Sequence, residues 1–133
     1  MGQQPLSRPA KRRTPAENLL MHEYSVVQAL LEQCETHAKA NDATQITEVT
    51  VKIGIQSGIE IHLFETAFET FKEKTICDQA KLIIQHQPLL IYCGDCDQEF
   101  TLEKIEYSCP KCQNLLINVL DGEDMYLMRL EML

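Results

Sequence analysis

From Tyr24 to about Ala40, apolar residues recur at helical spacing, with Val27, Leu30, Leu31, Cys34 and Ala38 on one face. Asn41 and Asp42 end that helix. Thr47 to Gly54 then alternates: Val49, Val51 and Ile53 point one way and Glu48, Thr50 and Lys52 the other, the pattern of a half-buried strand. Ser57-Gly58-Ile59-Glu60 reads as a capping box that Gly58 weakens. Behind it, Ile61, Phe64, Phe68 and Phe71 form the apolar stripe of a second helix. Lys81 to Gln87 predicts a second strand, broken at Pro88. Met125 to Met132 alternates again, with Tyr126, Met128, Leu130 and Met132 opposing Arg129 and Glu131, and predicts the last strand.

This order predicts an α+β domain in which two helices cover one face of a three-stranded sheet around a single core. A cysteine-rich insert interrupts it between the second and third strands. The expected boundaries are a disordered N-terminal extension over 1–20, the α+β domain over 21–88 and 117–133, and the insert over 89–116. The insert's expected core is tiny, little more than Phe100, Tyr107 and the cysteines. Metal binding must then supply most of its folding free energy, on the order of 10 kcal/mol for small zinc modules.

The insert carries Cys93-Gly94-Asp95-Cys96 and Cys109-Pro110-Lys111-Cys112. A C-x2-C spacing lets two thiolates from one tight turn reach the same ion, and two such turns supply the four ligands of a tetrahedral site, which suits zinc and less often iron. Two disulfides or four unrelated buried thiols are the bland alternatives. A closed site of this kind has no position for substrate, so it organises a fold and does not name a function. Cys34 and Cys77 are isolated in the sequence and read as small buried apolar residues.

Composition narrows the classes. A 44% hydrophobic content over 133 residues supports a real core, and no apolar run approaches a membrane span. The cysteines pattern as ligands and no secretory segment opens the chain, which points to a reducing cytoplasm. Residues 1–20 hold Arg8, Lys11, Arg12 and Arg13 against Glu17, a net of +3, which leaves −11 on residues 21–133. So acidic a body is repelled by phosphate backbones, which disfavours nucleic acid and favours a basic partner or a cationic cargo.

Met21-His22-Glu23-Tyr24 supplies a second candidate centre. Imidazole, carboxylate, backbone nitrogen and, in a chain beginning at Met21, a terminal amine form an N/O donor set suited to Ni(II) or Cu(II). On the residues alone, a His beside a Glu at a helix start is most often a cap or a solvated pair. The segment Met21-His22-Glu23-Tyr24-Ser25 resembles the opening of the HypA/HybF family of hydrogenase-maturation nickel chaperones. Val51-Lys52-Ile53-Gly54 through Ala67-Phe68-Glu69 and the two ordered C-x2-C pairs agree, so the resemblance covers 21–133. It implies a nickel-binding α+β domain with an inserted zinc domain. His22 would be the nickel-site histidine with Glu23 beside it and Met21 contributing nitrogen, and Cys93, Cys96, Cys109 and Cys112 would hold structural Zn(II). It also implies a non-enzymatic cytoplasmic role, delivering Ni(II) to the [NiFe] hydrogenase large subunit together with a maturation GTPase, and in some members serving urease maturation. One departure matters: family members begin at the methionine of this motif, whereas twenty residues precede Met21 here.

The rival readings are a zinc-ribbon module for nucleic acid or protein interaction and a thiol redox protein using C-x2-C. The acidic body and the lack of a basic stripe with stacking aromatics oppose the first as a nucleic-acid binder. The fit of both pairs to one closed site opposes the second. No nucleophile, base and orienting group recur in a recognisable arrangement, so no catalytic residue is assigned. His37, His62 and His86 read as surface or half-buried residues.

Overall fold

The computed structural model describes the backbone of residues 15–133 and side chains from His22 onward. Helix α1 spans Pro15–Ala40. It starts six residues before Met21, so the expected helix start at Tyr24 is corrected, and the expected boundary at residue 20 falls within this helix. The sequence explains why: Thr14-Pro15-Ala16-Glu17 has a capping residue type, proline where a helix tolerates it, and an acid in the first turn. The helix formers Leu19, Leu20 and Met21 follow. The rest of the expected extension, residues 1–14, lies outside the described residues. At the other end Asp42 adopts φ 52°, and Asn41 Nδ2 donates to the His37 carbonyl at 2.8 Å, which stops the helix.

Strand β1 (Ile46–Gly54) forms the centre of the first sheet, between β2 (Lys81–Gln87) and β6 (Met125–Met132). It runs parallel to β2 and antiparallel to β6. A parallel neighbour demands a crossover, which helix α2 (Ile61–Phe71) provides. Its cap is Glu60, whose carboxylate accepts from the Leu63 N–H at 2.7 Å, rather than Ser57, whose Oγ accepts from the Ile59 N–H. Gly58, at φ 78°, separates the two.

Val26, Val27, Leu30 and Cys34 of α1 meet Val49, Val51 and Ile53 of β1 and Phe64, Ala67 and Phe68 of α2 in one buried core. The register places Val49 between Leu82 and Leu130, and Val51 between Ile84 and Leu127. A shift between Thr50 and Val51 is what brings Leu127 as well as Leu130 to the core face. The simple alternation expected along β6 is therefore broken: Tyr126 lies opposite Lys52, on the face away from the helices.

The second sheet has the order β4-β3-β5, built from β3 (Leu89–Cys93), β4 (Gln98–Leu102) and β5 (Ile117–Asp121). Strand β5 lies beyond the expected end of the insert at residue 116, and it pairs with β3 and not with the first sheet. The fully buried residues here are Leu89 and Ile91 with Cys93 and Cys109, whereas Tyr107, expected in this core, is exposed. Among the described residues no helix is long and apolar enough to cross a membrane.

Candidate metal centres

Strand β3 ends on Cys93, and the turn into β4 carries Cys96. The second pair lies in the connection from β4 to β5. A non-glycine residue in the left-handed region follows each pair directly: Asp97 at φ 51° and Gln113 at φ 62°. These two residues reverse the chain behind each turn. Asp97 Oδ1 accepts from the Tyr92 hydroxyl at 2.6 Å, the Gln113 N–H donates to the Cys109 carbonyl at 2.8 Å, and Asn114 Nδ2 donates to Asp95 Oδ2 at 2.7 Å. The Asn114–Asp95 bond ties one turn to the other.

The four sulfurs lie within 4.8 Å of one another. Cys93 and Cys112 approach to 3.6 Å, and Cys96 and Cys109 to 3.8 Å. A tetrahedron with metal–sulfur bonds of about 2.3 Å, the zinc–thiolate length, has edges of about 3.8 Å. The donor set fits such an ion in chemistry and in size. All four are free thiols, Cys93 and Cys109 buried and Cys112 exposed, so neither disulfides nor scattered thiols describe them. Burial acts to raise the Cys109 thiol, but the N–H groups of Cys112 and Lys111, each 3.4 Å from its sulfur, bring it down to about 6. Cys96 is pushed up to about 12, first by its hydrogen bond with Cys112 and then by burial. One thiolate thus forms readily, and a bound dication draws off the remaining protons.

The second candidate centre is on α1. His22 and Glu23 lie inside the helix and not ahead of it, as the sequence reading expected. Glu23 is fully buried, and its Oε1 lies 3.1 Å from Nδ1 of His22, which keeps partial exposure. The backbone of Met21 belongs to the same helix, past the first turn, where amides are committed to helical hydrogen bonds. Of the other histidines, His37 is half-buried and His62 and His86 are exposed. None of them joins a metal-binding cluster among the described residues.

Sequence reasoning missed Asp97, Gln113 and the Asp95–Asn114 tie. Their common signal is a polar residue directly after, or inside, a C-x2-C turn. It read Cys34 and Cys77 as small buried residues, and both lie fully buried in the core.

Comparison with known proteins finds relatives of this chain along nearly all of the described residues. A family model described as "Hydrogenase/urease nickel incorporation, metallochaperone, hypA" matches residues 21–132. The hydrogenase maturation factor HypA of Shewanella oneidensis is 55% identical over 112 residues, covering 84% of this chain and 95% of that protein. The HypA of Campylobacter jejuni is 50% identical over 113 residues, covering 84% and 99%. The solution structure of the nickel metallochaperone HypA from Helicobacter pylori superposes with a TM-score of 0.65 at 40% identity, covering 84% of this chain and 97% of that one.

Proposed function

The chain belongs to the HypA family of nickel-incorporation metallochaperones, maturation factors and not enzymes, and on that premise we propose that it binds Ni(II) beside His22 and hands the ion to the large subunit of a [NiFe] hydrogenase. The maturation GTPase of that system is its working partner, urease maturation proteins are a further client, and the cytoplasm is its place of action. The observation that carries the reading is the His22–Glu23 contact, immediately after the point where the family match begins.

A carboxylate on one imidazole nitrogen fixes the ring and leaves the other nitrogen for a ligand. Chelation by His22 through its own backbone amide uses Nδ1 instead, because only that nitrogen closes a small ring. Here Nδ1 faces Glu23 and the amide lies in a helix, so the chelating arrangement requires the helix to open at Met21. Such a site releases its cargo stepwise, as a partner's ligands replace its own. Nickel is the cargo, and the protein keeps none of it.

Zn(II) is the resident ion we assign to Cys93, Cys96, Cys109 and Cys112, and its role is to hold the second sheet together. Leu89 and Ile91 alone make too small a core for a module of this size.

The deciding experiment loads the zinc-replete chain with one equivalent of Ni(II), mixes it with nickel-free hydrogenase large subunit, and follows the metal by size-exclusion chromatography with elemental analysis. Transfer to the large subunit with zinc retained on the chaperone is the expected result. Nickel that stays on the chain, or moves no faster than from buffer, rejects the delivery role. A zinc-ribbon nucleic-acid module gains nothing from the structure, since the body is acidic.

A further inference from the structure

Asn114 bonds to both turns of the four-cysteine centre without being a ligand. Its backbone carbonyl accepts from the Cys109 N–H at 2.9 Å, and the Gln113 N–H donates to the Cys109 carbonyl at 2.8 Å. Both backbone groups of Cys109 are thus tied to the residues that close the second turn. The Asn114 side chain makes two more bonds. Its Oδ1 accepts from the Leu116 N–H at 3.0 Å, and its Nδ2 donates to Asp95 Oδ2, in the first turn, at 2.7 Å. These neighbours fix which way the amide points, because a carboxylate needs a donor and an N–H needs an acceptor. An amide meets both needs, whereas an aspartate in its place would set carboxylate against carboxylate and an alanine would meet neither.

The bond joins the accessible half of the centre. Cys93 and Cys109, the first cysteine of each pair, are buried, whereas Cys96 is partly exposed and Cys112 is exposed. Asp95 directly precedes Cys96, and Asn114 follows Cys112 by two residues. A competing ligand meets Cys96 and Cys112 first, and these are the cysteines whose neighbours the bond links. We propose that Asn114 is a positioning residue of this centre: through Asp95 it holds the two turns together at their exposed ends, and so sets how slowly the ion is lost. The inference rests on Zn(II) being the ion that the four sulfurs hold. Each turn brings two of the four ligands, so loss begins when one turn swings away from the other. The Asp95–Asn114 bond, with a charged acceptor, opposes that swing and returns a displaced turn before its second thiolate is replaced. A chain that surrenders one metal by ligand exchange must keep the other through the same exchange, and a fastened pair of turns does so.

The test follows zinc transfer from the full zinc-loaded chain to an excess of a chromophoric chelator, with zinc content measured beforehand. Asn114→Asp sets two carboxylates against each other, and Asp95→Ala removes the acceptor. Each should speed transfer by on the order of 10-fold, the low end for losing a group that supports metal ligands. The two changes alter the net charge in opposite directions, so a purely electrostatic effect on the ion would move the two rates apart. A lost bond moves both up. Asp95→Asn combined with Asn114→Asp restores a donor facing an acceptor at unaltered net charge, and should return the rate most of the way to that of the unaltered chain. Where a single variant retains no zinc, recovery of a full equivalent in the combined variant reads the same bond. Rates that do not change, that move in opposite directions, or that the combined variant fails to restore overturn the proposal. An unaltered chain that carries no zinc rejects the metal assignment itself, and the proposal with it.

Discussion

Lys52 Nζ meets Asp121 Oδ2 at 2.5 Å, joining the middle strand of the first sheet to the last strand of the second. Both side chains are about four-fifths buried, and Lys52 also lies 5.4 Å over the Tyr126 ring. The neighbouring backbones pack just as closely. A β-carbon on Gly54 would come within 2.3 Å of the Gly122 carbonyl group, and one on Gly122 within 2.8 Å of the Leu89 α-carbon. Gly54, Ile55 and Gln56 donate in turn to the carbonyls of Asp124, Gln87 and Gly122. Backbone contact and one ion pair thus set how the two sheets meet.

Gly54→Ala should therefore destabilise the chain by at least ~2 kcal/mol, since the atoms it strikes are backbone that cannot rotate away. Urea denaturation of the zinc-loaded chain measures it. Asp121→Asn should cost less, about 1–2 kcal/mol, because the pair keeps some solvent. A Gly54→Ala chain of unaltered stability would mean that the two sheets do not meet as described.

Removing a ligand from the four-cysteine centre should unfold one sheet and spare the other. Cys93→Ser takes a thiolate from a closed set and leaves Leu89 and Ile91 without enough apolar surface to hold β3, β4 and β5 together. Zinc content should fall below half an equivalent while the helical circular-dichroism signal, which comes from α1 and α2, stays largely intact. Full zinc occupancy in this variant would sink the assignment.

Strong periodicity made most of the first domain legible. The bounds of β2 and β6 and the start of α2 follow from alternation and from the Phe64–Phe68 stripe. What escaped was decided by contacts that no local pattern encodes. The shift that sends Leu127 inward depends on pairing with Val51 across the sheet, and the membership of β5 depends on its pairing with β3. The cysteine turns announced a metal centre through spacing alone, because chelation fixes the spacing. The early start of α1 was legible in Thr14-Pro15-Ala16-Glu17 and was masked by the prolines and basic residues around it.

A chain beginning at Met21 should bind Ni(II) more tightly than the full sequence. Deleting residues 1–20 removes the first part of α1, frees an amine at Met21 and releases the amide of His22 from the helical ladder. Both changes add nitrogen donors beside His22. Isothermal titration of the two chains at one pH should show at least a 10-fold difference in Kd, since an amine is a full additional donor. Equal affinities would mean that neither the amine nor the opened helix contributes.

The last prediction separates the roles of His22 and Glu23. His22 keeps partial exposure and offers the imidazole, whereas Glu23 is buried beneath it, with Oε1 3.1 Å from Nδ1. A buried carboxylate in that position acts first by orienting the ring, and groups of that kind typically cost 10–100-fold in metal affinity when lost. Glu23→Gln keeps the shape and a possible acceptor but removes the charge, so Ni(II) affinity should fall by on the order of 10-fold with stoichiometry unchanged. His22→Ala removes the donor itself, so specific one-to-one binding should vanish, along with hydrogenase maturation in a complemented strain. In both variants zinc content should be unaltered, because the cysteine turns belong to a different sheet. Glu23→Ala is the less informative change, since it also empties buried volume in α1 and mixes a packing loss with the ligand effect. A His22→Ala chain that still binds one Ni(II) with native affinity would end the case for this centre, whatever the fate of the zinc.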